Sequence, residues 1–155
     1  MQTWGTWNAS WIWSFVLIAV TITIHLVGVG LVVIAVEWFR ARLVRSRRSY
    51  LGSTPATVAV IVGVALTLAI LHGVESMIWA VAYVRLGAFA SPAHAALYSV
   101  DSMTTRGASG LVPAQDWRMM GAVEAGDGML LFGISTAFLF YVMIRLWKID
   151  VEIHV

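Results

Sequence analysis

The sequence predicts an all-α membrane protein: three helices that cross a bilayer and a shorter one that enters it without crossing. Three observations carry this. Of 155 residues, 60% are hydrophobic and only 12% charged, with a mean hydropathy of +0.85, whereas soluble domains run near half apolar and a quarter charged. The few charges are clustered: no Lys, Arg, Asp or Glu precedes Glu37, and none falls between Ser49 and Val74. Three apolar runs, about 11–36, 56–84 and 119–146, each exceed the roughly 20 residues a helix needs to cross ~30 Å of hydrocarbon. Zero Cys excludes a disulfide scaffold and a thiolate metal site. A net charge of +2 with a local excess does not point to nucleic acid.

The first run lacks a basic leader and a small-residue cleavage site, so it reads as a membrane anchor rather than a signal peptide. Trp4, Trp7, Trp11 and Trp13 form an interfacial aromatic belt before it, and Trp38 marks its far end. Arg40, Arg42, Arg45, Arg47 and Arg48 follow it, and Arg145 and Lys148 close the third run, so seven of ten positive charges fall on one side. The positive-inside rule makes that side cytoplasmic, with the N-terminus and the segment 85–118 outside and the C-terminus inside. The expected organisation is residues 1–50, an N-terminal helix with a basic loop, followed by a membrane module over 51–155. Lipid is an expected partner.

The external segment is unusual for a loop. Ser91-Pro92 is a helix start, an N-cap followed by proline at the first helical position. Residues 93–103 then read as about three turns of mostly apolar helix, too short to span and too apolar for water. A re-entrant helix held within protein fits, because irregular backbone at membrane depth survives only there or beside a water-filled cavity. The small, flexible TTRGASG (104–110) and LVP (111–113) lead into the third run.

Helix, re-entrant helix, glycine-containing extended segment, helix: this order resembles the potassium-channel pore module. The resemblance is carried by Ala96-Leu97-Tyr98-Ser99-Val100, Thr104-Thr105, Gly107 and Pro113, with TTRGASGLVP lying ungapped over the family pattern TTVGYGDxxP. Trp117-Arg118, Glu124, Gly128 and LLFGISTAFLF continue it. His72, Glu75, Trp79 and Ala80 match the HxxE and WA of small bacterial three-span ion-channel proteins. It covers roughly residues 65–142. The resemblance implies a homotetramer around a central pore in a bacterial inner membrane. Its selectivity filter would be Thr104, Thr105, Arg106, Gly107, Ala108, Ser109 and Gly110. Permeant K+ or Na+ would be the only ligand, with no cofactor. Four pore-helix C-termini would favour a cation near the axis, and backbone carbonyls would replace its hydration shell.

The sequence departs from the family inside that filter. Val is replaced by Arg106, Tyr by Ala108, the second Gly by Ser109 and Asp by Gly110, so potassium selectivity is expected to be weakened or lost. Serine at 109 disfavours the positive φ that glycine supplies there. Arg106 has open placements. It pairs bidentately with Asp101 behind the strand, or it enters the axis as a ring that blocks cations or selects anions, or the filter rearranges and does not conduct. Glu124 or Asp127 is another candidate to neutralise it.

Ionisable residues at membrane depth are functional candidates. His72 and Glu75 share a face of the second run, and Glu124 and Asp127 share one of the third. All four are expected in a buried polar network or a pH-sensitive gate. Gly128 and Gly133 are hinge candidates. A competing reading places a bis-histidine haem between His25 and His72. No nucleophile with its base, phosphate loop or metal cluster is legible, so neither an enzyme nor a metal site is expected.

Overall fold

A computed structural model describes residues 4–45 and 54–153. Arg47, Arg48 and the expected boundary near residue 50 lie outside the described residues. Among the described residues there are four α-helices: α1 (Trp4–Arg45), α2 (Thr54–Arg85), α3 (Pro92–Met103) and α4 (Arg118–Ile153). A short 3-10 turn, Gln115–Trp117, leads into α4. No strand occurs among the described residues, so the expected extended segment at 104–114 is an irregular loop. Three helices contain stretches long and apolar enough to cross a membrane: Asn8–Phe39, Pro55–Arg85 and Gln115–Leu146.

The long helices outlast the apolar runs that predict them. α1 takes in the N-terminal tryptophans and runs on through EWFRARLVR, and α4 continues through RLWKIDVEI. Neither extension contains proline or glycine, and both are rich in good helix formers, so nothing interrupts the backbone ladder where the apolar run stops.

Contacts divide the chain into two compact units, each taking part of every long helix: Met1–His25 with His72–Phe132, and Leu26–Leu71 with Gly133–Val155. In the first unit, Leu17, Trp79, Tyr83, Ala95, Met103, Met120 and Leu131 form an apolar core. Beside it runs a polar stripe on α1: Ser10, Ser14, Thr21 and His25 are buried while Ile12, Phe15, Val16 and Val20 are exposed. This inverts the pattern of a soluble helix. Lipid is as apolar as leucine, so polar groups turn inward, where Ser14, Thr21 and His25 hydrogen-bond. Ser14 Oγ and Thr21 Oγ1 also donate to carbonyls four residues back, at 2.8 and 2.9 Å.

In the second unit the core is aliphatic and aromatic: Val64, Leu68, Phe138, Val142 and Leu146, backed by Val29, Val32, Val33 and Ile61. Gly28 lets Leu71 close against α1, since a methyl there would meet Leu71 Cδ2 at 2.7 Å. The Arg42 guanidinium lies 5.3 Å over the Trp38 ring, the kind of anchoring common at a membrane interface.

Candidate functional site

α3 begins as its sequence indicates. The Ser91 side chain accepts from the His94 backbone N–H, and Pro92 occupies the first turn. Twelve residues give a helix about 18 Å long, too short to cross ~30 Å of hydrocarbon. Its C-terminal end lies far from the ends of its neighbours. Ser99 Oγ donates to Ser76 O at 2.6 Å, and Ser76 lies about 13 Å along α2 from Arg85. Met103 packs against Gly128, about 15 Å along α4 from Arg118. The chain then returns: Ala114 N–H donates to Ala88 O at 3.0 Å, which closes the excursion where it began.

Small residues on α4 make room for α3. A Cβ at Gly128 would collide with the Met103 carbonyl oxygen, and one at Gly121 with the Tyr98 hydroxyl. Ser102 Oγ donates to Gly121 O at 2.7 Å. Gly128 is thus a point of close approach, and α4 runs unbroken through both Gly128 and Gly133.

α3 ends in a Schellman arrangement. Arg106 N–H donates to Asp101 O at 3.0 Å and Thr105 N–H to Ser102 O at 2.8 Å. The residue that must be left-handed is Thr105, at φ 56°. Glycine usually fills this position, and a β-branched residue there is strained. Gly107 and Gly110 carry the other positive φ values of the loop, 63° and 70°. Ser109 is not among them, so the conformational conflict expected for serine does not arise; the left-handed position falls one residue later, on glycine.

Asp101 organises the loop from inside. Its Oδ1 accepts from Arg106 Nε at 2.7 Å and its Oδ2 from the Ser109 backbone N–H at 2.8 Å. The pair is therefore not the two-pronged fork expected from sequence: one nitrogen makes it, and the second oxygen holds backbone. Arg106, adjacent to the turn, stays 63% exposed while the Asp101 side chain is 4% exposed. The Arg106 contact first, then the Ser109 N–H, hold the Asp101 carboxyl well below the usual carboxylate range. Thr104, Thr105, Gly107, Ala108 and Gly110 are exposed. Thr104, Thr105, Met103, Met129 and Phe132 border an open cleft of about 360 Å³.

Neither Glu124 nor Asp127 neutralises Arg106. Glu124 is fully buried and bridges α2 and α3: Tyr83 OH donates to Oε2 at 2.8 Å, and Oε1 shares a hydrogen bond with Ser99 Oγ. Asp127 Oδ2 accepts from Thr21 Oγ1 at 2.7 Å and Trp79 Nε1 at 3.1 Å, which ties α4 to α1 and α2. Glu75 meets His25 Nδ1 at 2.9 Å through Oε1 and His72 Nδ1 at 3.3 Å through Oε2. Glu75, Glu124 and Asp127 thus each join helices, whereas the buried Asp101 holds the loop that follows its own helix. The rings of His25 and His72 lie 5.1 Å apart, tilted at 42° and leaning on one carboxylate. That spacing leaves no porphyrin-wide slot between them.

The carboxylates stand out in the sequence, whereas Thr21, Ser76, Tyr83, Ser99 and Gly121 do not. Their signal was faint: Ser10, Ser14, Thr21 and His25 fall at helical spacing on one face of α1, and Gly121, Glu124 and Gly128 do so on α4. No protein-family model matches the chain, and no curated protein or solved structure matches it either. What stands is its class: among the described residues the regular structure is all helical, with three helices long and apolar enough for a multi-pass membrane protein.

Proposed function

We propose that this chain is the subunit of a homotetrameric channel for monovalent cations, with α3 as pore helix and residues 104–110 as an altered selectivity filter. The excursion between α2 and α4 carries the reading. A helix too short to span runs about 15 Å along α4 and ends in an irregular, exposed loop that returns to its starting point. Irregular backbone at that depth requires protein or a water-filled cavity around it. One such loop per chain cannot enclose a pore, and a closed ring of four copies does. The apolar residues left exposed on α3 and α4, Leu97, Val100, Met129 and Leu130, suit contact with lipid or with neighbouring copies.

Weak potassium selectivity follows from the loop's own bonds. Asp101 and a Schellman turn hold its first residues, and no aromatic side chain replaces the family's tyrosine at Ala108. The exposed Arg106 guanidinium favours a second reading, in which four arginines ring the axis and select anions. The basic residues between α1 and α2 support a cytoplasmic location for that side and a bacterial inner membrane as the site of assembly.

Reversal potentials of the purified protein in planar bilayers, under KCl, NaCl and N-methylglucamine chloride gradients, test both readings. The expected result is a cation reversal with little discrimination between potassium and sodium. Strong potassium selectivity would remove the altered-filter claim, a chloride reversal would establish the arginine ring, and absence of current would end the channel reading.

A further inference from the structure

The geometry points to a binding site for one divalent first-row transition-metal ion, of the zinc class, built from His25 of α1 and His72 and Glu75 of α2. All three residues are buried, and one donor atom from each lies within 4.8 Å of the other two. Two imidazoles and one carboxylate are a donor set that zinc uses with a fourth position left for water. Calcium and magnesium prefer all-oxygen shells, and the chain has no cysteine to favour a soft ion such as Cu(I). Four-coordinate zinc with ~2.0–2.1 Å bonds places its ligand atoms roughly 3.3 Å apart. The carboxylate is already at 2.9 and 3.3 Å from the two Nδ1 atoms.

Hydrogen bonding alone does not complete this cluster. Glu75 Oε1 is paired with His25, but Glu75 Oε2 is buried without a hydrogen bond although it faces His72 Nδ1. A buried acceptor left unmade is costly, and a cation between carboxylate and imidazoles fills it. The surroundings hold the ligands in place. The His72 ring stacks on Phe132 with centroids 4.2 Å apart and planes at 12°, and His72 and Glu75 sit one turn apart on α2, i and i+3. Asp127 lies within electrostatic reach of His25 and Glu75. Two carboxylates then balance a doubly charged ion, as burial of charge demands. The bound ion would pin α1 to α2. This site does not depend on conduction through the loop.

The test uses the full chain in lipid nanodiscs with any affinity tag removed and Co2+ as the probe. The expected result is one Co2+ per chain with intense visible d–d bands, displaced by Zn2+. His25→Gln and Glu75→Gln should each weaken binding by at least about tenfold. The double variant His94→Gln/His154→Gln, which removes the other histidines, should bind as the parent does. No bands, bands that survive both His25→Gln and Glu75→Gln, or loss of binding in the double variant would overturn the site. X-ray absorption of the Zn2+-loaded parent protein decides independently should the variants fold poorly: two imidazoles with oxygen donors support it, and a shell without paired imidazoles overturns it.

Discussion

The two units of this chain bury different things. Around Leu68 and Phe138 the buried side chains are mainly apolar, with Ser135 the exception among the described residues, and the groove bordered by Gly28, Val32, Val60 and Gly63 is mostly apolar as well. In the unit around Trp79 and Tyr83, four carboxylates, two histidines and a row of hydroxyls are buried among the apolar side chains. Both sets lie on helices of similar composition, so hydropathy alone does not separate them. In lipid, apolar side chains gain little by leaving the solvent, and close packing holds the first kind of contact. Hydrogen bonds between helices, each modest, supply position and direction in the second. The polar unit also carries α3 and the loop that follows it.

The largest expected effect tests close approach. Gly128→Val drives a side chain into the Met103 carbonyl, so it should destabilise the fold by about 3 kcal/mol or more. Gly133→Val, with nothing within 4 Å of the added carbon, should change stability by less than about 1 kcal/mol. Unfolding in mixed detergent micelles measures both, and equal losses would erase the distinction between the two glycines.

A smaller effect concerns Asp101. Asp101→Asn should speed hydrogen exchange at the Ser109 amide more than Arg106→Val does, because the carboxylate holds both the guanidinium and that amide. Equal exchange in the two variants would show that the arginine alone orders the loop. The folded Asp101 carboxyl titrates below its unfolded value. Its stabilisation is therefore fully present above the unfolded pKa of about 4 and is lost as pH falls from there through the folded value. Ser109 exchange, corrected for the intrinsic pH dependence of amides, should lose protection only in that acid window. Loss near neutral pH would contradict the assignment.

The smallest effect concerns Thr105. Thr105→Gly removes a left-handed β-branched residue and should gain at most about 1 kcal/mol, part of the relief being offset by glycine's freedom when unfolded. A loss of stability would mean that the threonine side chain contributes more than its strain costs.

Much of the architecture was legible in the sequence because membrane insertion is a matter of length and composition. The three apolar runs, Ser91-Pro92 and the short helix after it each follow from local rules, and each is present. Helix ends differ from the apolar runs because apolar character stops while helix propensity continues. The site was legible only in pieces. His72 and Glu75 share one turn, so their proximity is local. His25 is 50 positions from Glu75, and no spacing rule connects them; Ser99, Tyr83 and Glu124 are distant in the same way.

By itself, then, the sequence determined which segments are long and apolar enough to cross, where the charges cluster, and that a short capped helix interrupts the chain between the second and third crossings. Only the tertiary structure decided that Glu75 stands between two histidines, that Glu124 and Asp127 face helices rather than Arg106, and that Asp101 holds the loop through one nitrogen and one backbone amide. The physical reason is range. Hydrophobicity and helix propensity act over a few neighbouring residues and can be summed along a chain, whereas the partner of a buried polar group is chosen by how whole helices pack.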